Sequence, residues 1–236
     1  TARGKRAERF GIDTAPPAGD GSLPGEAIGT GISGFFPLVV SKMDALSQHF
    51  LSMAFNNAWA NHRLLKACAQ LSQADFVAPR TGFFPSIKAT LNHILVVDWF
   101  YVDALERESR GEPPHPDCYA FFDAEEPFDT CAELAREQAL ADRRLIAYCS
   151  ELKDAGLGRQ VTIARPKQAQ QDTRARLLAH LLQHQIHHRG QAHAMLAGTP
   201  VKPPQLDEFF CEGEAALRSA DFAELGWTEA AIWDRA

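Results

Sequence analysis

The stretch of sequence that decides the fold covers residues 173–197 and reads TRARLLAHLLQHQIHHRGQAHAMLA. Its pattern predicts a long helix that ends at Gly198 and Pro200, residues that are typical of a helix C-terminus. Five of the nine histidines of the chain fall between positions 180 and 193, within this predicted helix. We therefore expect the chemistry of the protein to lie on this helix.

The histidines of this helix are spaced so that they can share a metal ion. Residues four apart on a helix lie one above the other, with about 5–6 Å between their Cβ atoms. His180, His184 and His188 therefore form one row. Two imidazoles at this spacing can bind one ion, as in helices with a His-Glu-x-x-His sequence. Here Gln185 stands where that sequence has its general base, Glu, which excludes the zinc protease class.

A third ligand is expected from a facing helix, and His93 is the best candidate. It lies within residues 91–97, LNHILVV, the most apolar helical stretch of the chain. Burial of an imidazole without a partner costs about 1–3 kcal/mol, and a ligand role removes that cost. The sequence thus predicts one divalent metal ion bound by His93, His184 and His188. Three neutral histidines would leave a coordination position for water or a substrate thiolate, as in catalytic sites.

Simpler interpretations stay open for the same residues. His93 by itself could be a hydrogen-bonded core residue, and the histidine cluster by itself could be a solvated helix face or a fortuitous chelator. His180 and His187 could support the ligands through hydrogen bonds or could be structural. His62 and His115 are expected at the surface.

Helical periodicity covers most of the remaining chain. Four long helices without an alternating strand pattern indicate an all-α protein, a four-helix bundle. Residues 71–84 contain helix breakers and are predicted to be a loop, and residues 160–163 could form a short extended segment. The predicted helices run from Met43 to about Cys68, from the N-cap Ser86 to Gly111, from about Thr130 to Leu152, and over residues 173–197.

The two ends of the chain differ from the bundle. Residues 1–42 are rich in Gly, Pro and Ala and lack periodicity. We interpret them as a disordered extension, a tag remnant or an over-extended start that precedes one domain at residues 43–236. Short C-terminal helices are predicted near residues 206–218 and 228–233. Their aromatic residues are costly to expose and should pack against the bundle: Phe209, Phe210, Trp227 and Trp233.

Composition narrows the choice of partners. Charged residues make up 23% of the chain, the net charge is −6, and no stretch concentrates Lys and Arg. This balance argues against nucleic acid and against anionic membrane surfaces as partners. The five cysteines show no Cys-x-x-Cys spacing, so neither a disulfide framework nor a cysteine zinc site is predicted. We expect a cytoplasmic protein that acts on a small molecule.

Other classes of site lack their motifs. The sequence contains no Gly-rich phosphate loop and no Gly-x-Ser-x-Gly elbow. Di-iron bundles need Glu-x-x-His pairs on two helices, and neither His93 nor His184 follows a Glu at that spacing. The string Trp59-Ala60-Asn61-His62 is interpreted as core packing, since a Trp at helical spacing usually packs in a core.

Three groups of residues together resemble one bacterial family. They are Trp59-Ala60-Asn61 with Arg63-Leu64-Leu65, then Ser86-Ile87 with Leu91-Asn92-His93-Ile94, and then His184-x-x-x-His188-Arg189-Gly190-Gln191. Their order and spacing over residues 44–200 are similar to the DinB family, which is related to the YfiT-like metal-dependent hydrolases and to thiol-dependent transferases and isomerases. The His-Arg-Gly-Gln sequence is the most specific part of the resemblance.

The resemblance implies a bundle in which a histidine triad binds a divalent cation, often zinc or nickel. Carried over by position, the ligands are His93, His184 and His188. It also implies a homodimer and, as in some relatives, a low-molecular-weight thiol as cosubstrate. The expected function is a metal-dependent thiol S-transferase or hydrolase, and the alternative is a non-catalytic metal or small-ligand binding module of a stress response. Arg189 would hold an anionic substrate or pair with an acid, and Gln191 would orient a histidine that supports the ligands.

Overall fold

A computed structural model describes residues 45–117, 119–165 and 168–233. Most of these residues are helical, which confirms the all-α prediction, and the predicted extension at residues 1–42 lies outside the described residues. The elements in chain order are α1 (Ala45–Cys68), α2 (Gln73–Val77), α3 (Ile87–Arg110), α4 (Cys131–Ser150), β1 (Gln160–Ile163), β2 (Gln170–Thr173), α5 (Arg174–Leu196), α6 (Ala215–Leu225) and α7 (Glu229–Trp233).

The long helices begin and end where the sequence places their caps. The Ser86 side chain accepts a hydrogen bond from the backbone N–H of Ala89 at the start of α3. At the start of α4, Thr130 and Glu133 form a reciprocal capping box. Gly111 ends α3 in the left-handed region, with φ 68°, a conformation that glycine adopts at little cost. These local signals therefore set the lengths of the helices that carry the site.

The four long helices pack as a bundle in which α1 contacts α4 and α3 contacts both α4 and α5. Trp59 of α1 is fully buried, as the core interpretation predicts, and its ring lies 5.6 Å from that of Phe209, centroid to centroid. Phe209 in turn belongs to the segment after α5, so this contact attaches the C-terminal region to the bundle. None of the described helices is both long enough and apolar enough to cross a lipid bilayer.

Three local predictions need correction. Residues 71–84 are not loop throughout, because Ser72 caps the short helix α2. Phe76 of this helix is buried. The helix predicted near residues 206–218 is displaced to α6, since Phe209 is drawn into the core before the helix begins. Phe210 is 46% exposed rather than packed, because its neighbour Phe209 takes the buried position.

An antiparallel hairpin connects α4 to α5 and contacts α3. Strand β1 pairs with β2 from Gln160 opposite Thr173 to Ile163 opposite Gln170. Val161 and Ile163 of β1 are buried, which is the alternation expected of a strand with one covered face. The predicted extended segment at 160–163 is thus confirmed, although its partner strand was not predicted.

The capping box of α4 supports a prediction about stability. Replacement Thr130→Ala removes the acceptor for the Glu133 N–H and should lower the free energy of unfolding by about 1 kcal/mol. Urea denaturation measures the change. Ser150→Ala is the control, because the Ser150 hydroxyl only donates to the Ala147 carbonyl at the other end of α4 and caps no backbone donor. Equal losses in both variants would contradict the assignment.

Candidate metal centre

Three histidines from two facing helices lie next to one another. His93 is on α3, and His184 and His188 are one turn apart on α5. One ring nitrogen of each lies within 4.8 Å of the other two, and the Nε2 atoms of His93 and His184 are 2.9 Å apart. His93 and His188 are buried and His184 is half-buried. The structure thus brings together the three residues that the sequence singled out, in an arrangement that could hold a metal ion.

The imidazoles of α5 are held in the neutral form that a metal ion requires. Burial, together with the neighbouring His188, lowers the pKa of His184 to about 3. Burial also lowers the pKa of His188. A neutral imidazole retains the lone pair that forms a metal bond. Since the Nε2 atoms of His93 and His184 share a hydrogen bond, one of them carries a proton that a metal ion would displace. The donor set therefore fits a divalent metal.

Gln191 fixes the orientation of the His188 ring. Its Oε1 lies 2.9 Å from Nδ1 of His188, and its Nε2 lies 3.1 Å from Nε2 of the exposed His187. When His188 donates through Nδ1 to the amide oxygen, its Nε2 keeps a lone pair for a metal ion. Gln191 thus orients His188, a residue of the triad itself, and is in turn hydrogen-bonded to His187.

Two phenylalanines form an apolar wall beside the triad. The ring of Phe84 lies 4.3 Å from that of His93, and the ring of Phe83 lies 6.1 Å from that of His188, centroid to centroid. Phe84 is buried, whereas Phe83 is 60% exposed. The wall therefore reaches from the interior at His93 to the solvent at His188, where a bound molecule could contact it.

A second group of possible ligands, His62, Asp221 and Glu224, is less suited to a metal ion. Asp221 accepts a hydrogen bond from Nε of Arg63 at 2.6 Å, and Glu224 accepts one from Nζ of Lys66 at 2.5 Å. Both carboxylates are already neutralised by cations. We therefore assign no metal to this group.

The remaining histidines lie outside the triad. His180 is exposed, and its Nε2 lies 3.2 Å from the hydroxyl of Tyr101. His193 lies 2.8 Å from a backbone carbonyl of the segment after α5 and ties that segment to the helix. His62 and His115 were expected at the surface but are half-buried, since each makes a hydrogen bond to a neighbouring residue.

Behind the triad lies a buried polar network that the sequence analysis missed. Nη1 of Arg189 donates to the side-chain oxygens of Asn57 and Asn61, at 2.6 and 3.0 Å. Both asparagines in turn donate to Oδ1 of Asp142, at 3.2 and 3.0 Å. Arg189 is therefore occupied inside the protein and does not face a substrate. Of its two expected roles, the structure supports the structural one.

The same network continues to α3 through Asp98. Gln138 of α4 donates to Asp98 at 2.7 Å and to Asp142 at 3.2 Å. Gln185 of α5 also donates to Asp98. Gln185 and Arg189 are four residues apart and each directly follows a histidine of the triad, so this spacing is the one signal in the sequence that could have indicated the network.

The network holds two carboxylates and one guanidinium away from water. Burial, and the nearby charge of Asp142, raise the pKa of Asp98 to about 7. Burial likewise raises the pKa of Asp142 to about 6. Burial lowers the pKa of Arg189 to about 10, so the guanidinium stays charged at neutral pH. Around neutral pH this one cation faces up to two carboxylates.

The fold and the site together define a class of protein: a helical bundle with a histidine triad shared by two facing helices. The family model described as DinB family matches residues 46–219, a range that includes all three histidines. The chain therefore belongs to the DinB family, which confirms the resemblance. No curated protein matched the sequence.

The raised pKa of Asp98 predicts a pH dependence of stability. The folded protein holds this proton more tightly than the unfolded chain, so the contribution of Asp98 to the free energy of unfolding should fall as the pH rises from about 4 to about 7. Asp98→Asn should flatten this decrease, because the amide does not ionise. Urea denaturation at several pH values measures the slope. The exposed carboxylate variant Asp129→Asn is the control, and an unchanged slope in Asp98→Asn would contradict the prediction.

The hydrogen bond from His188 to Gln191 predicts an effect on metal affinity. Gln191→Ala frees the His188 ring to rotate and should weaken metal binding by about 10–100-fold. Competition with a fluorescent chelator measures the dissociation constant. Gln183→Ala changes an exposed glutamine of the same helix and should leave the affinity unaltered. Equal affinities for the two variants would refute the role of Gln191.

Proposed function

We propose that the protein binds one divalent metal ion through His93, His184 and His188 and activates a thiol for S-transfer. The observation that carries the proposal is the convergence of three largely buried imidazoles from two helices. Zinc and nickel both suit nitrogen donors of this kind. When bound, such an ion would act as a Lewis acid that lowers the pKa of a thiol.

Thiol transfer suits the residues around the triad better than hydrolysis. The described residues contribute no carboxylate to the triad group. Gln185, which replaces the Glu of zinc proteases, donates to Asp98 inside the network instead. A thiol has a pKa of about 8.5, compared with about 15.7 for water, so a smaller lowering of the pKa is enough to ionise it near neutral pH. A triad group without a carboxylate among the described residues therefore favours a thiol as the nucleophile.

The aromatic wall supports an organic substrate with an apolar part. Phe83 exposes most of its ring next to His188, and Phe84 continues this surface towards His93. Exposed apolar surface of this kind gains free energy when a ligand covers it. An electrophile with an aliphatic or aromatic portion would lie against Phe83 while its reacting atom lies at the triad.

Metal analysis tests the first half of the proposal. The purified protein should contain about one metal ion per chain, as three converging histidines form one site. The double variant His184→Ala, His188→Ala should lose the metal, whereas His49→Ala, which removes an exposed histidine of α1, should retain it. Full metal content in the double variant would end the triad assignment.

Conjugation assays test the second half. The metal-loaded protein is incubated with glutathione, bacillithiol or mycothiol and an aromatic electrophile, and the thioether product is quantified. Turnover that depends on His93 supports S-transfer. If the protein instead hydrolyses esters or amides, and this activity depends on His93, the function is that of a hydrolase and not of an S-transferase. Metal binding without turnover in either assay would favour the non-catalytic binding module.

A further inference from the structure

Arg165 lies in the connection between β1 and β2, above the aromatic residues of α3. Its Cζ lies 5.1 Å from the centroid of the Phe100 ring and 6.0 Å from that of Tyr101. Its Nε donates to the side-chain oxygen of Gln170 at 2.8 Å, and Nη2 donates to the hydroxyl of Tyr101 at 3.3 Å. These contacts hold the guanidinium in one place.

The charge of Arg165 is not balanced within the part of the chain that the structure describes. Its two hydrogen-bond partners there are both neutral, and no described carboxylate forms an ion pair with it. By contrast, Arg159 and Arg174, which flank the hairpin, both pair with Glu108. The nearby Asp172 accepts from Gln170 and pairs with Arg176 instead. Arg165 is thus a positioned cation without a counter-ion among these residues.

Arg165 is linked to the triad through residues of α3 and α5. Tyr101, which accepts its hydrogen bond, is two turns beyond His93 on α3 and lies 3.2 Å from Nε2 of His180. His180 is one turn before His184 on α5, and their ring centroids are 6.4 Å apart.

The free donors of Arg165 have the geometry of a carboxylate site. A guanidinium has five N–H groups, of which the described residues engage two, so both N–H groups of Nη1 and one of Nη2 have no partner among those residues. These end-on donors match the two oxygens of a carboxylate.

We propose that Arg165, Tyr101 and His180 form a subsite that binds a carboxylate of the substrate whose reacting atom lies at the triad. This inference rests on the proposed function and adds the class of substrate. The substrate would be a thiol or electrophile whose carboxylate reaches Arg165 while its reacting atom lies at the triad. The hydroxyl of Tyr101 holds the guanidinium in position, and the hydrogen of that hydroxyl is available to His180.

A series of thiols measures the distance from the triad to Arg165. The protein is loaded with cobalt(II), and the sulfur-to-cobalt absorption is followed during titration with mercaptocarboxylates of increasing chain length. Mercaptoalcohols of equal length are the neutral references. We expect the carboxylates to bind about ten-fold more tightly, or better, from one chain length upward. Arg165→Met should abolish this preference, and Arg165→Lys should retain only part of it, because lysine lacks the fork.

Arg143→Met is the matched control, as it removes an exposed arginine of α4 and should change nothing. Circular dichroism verifies that each variant is folded. A carboxylate preference that persists in Arg165→Met would reflect chelation of the cobalt and would overturn the subsite. Equal binding of carboxylates and alcohols by the unaltered protein would also overturn it, while thiol binding itself would leave the proposed function standing.

A metal-free measurement separates the two proposals. The Nε–H resonance of Arg165, assigned by its loss in Arg165→Met, is followed by NMR while butyrate or butanol is added to the metal-free protein. A saturable shift with butyrate alone supports the subsite even if cobalt binds no thiol, in which case only the proposed function fails. Absence of a shift at saturating butyrate refutes the subsite, whatever the metal does.

Discussion

The burial of Arg189 is the constraint on which the rest of the structure depends. An isolated charge in a protein interior costs several kcal/mol, so the guanidinium must keep polar partners within reach. Asn57 and Asn61 supply them from α1, and Asp98 and Asp142 supply the opposite charge from α3 and α4. One side chain of α5 therefore requires a polar contribution from every other long helix. Few arrangements of four helices satisfy all of these contacts at once.

This constraint also positions the candidate metal centre. Gln185 and Arg189 directly follow His184 and His188, and adjacent positions on a helix point about 100° apart. When Gln185 and Arg189 face the network, the two histidines before them therefore face His93. The buried hydrogen bonds of Gln185 and Arg189 thus fix the rotation of α5 about its axis. This rotation places His184 and His188 opposite His93. The polar network and the histidine triad thus share one helix, each on its own face.

Two groups of side chains lie along α3 and α5. The triad and the aromatic wall of Phe83 and Phe84 form one group, and Tyr101, His180 and Arg165 form the other, nearer the hairpin. The hairpin was predicted only as a short extended segment, yet its connection carries Arg165, which contacts Tyr101 of α3. Contacts of this kind depend on where the connection between two helices packs, and local sequence patterns do not contain that information.

The sequence by itself determined the helices, their caps and the three histidines, because helix periodicity, capping and i, i+4 spacing depend on residues within a few positions of each other. The position of His93 beside His184 and His188 was predictable for a related reason: an imidazole in an apolar helix requires a partner wherever that helix packs. Only the tertiary structure decided the network around Arg189, the exposure of Phe210 and the place of Arg165. Each depends on residues far apart in the chain, and such contacts exist only after the helices have packed.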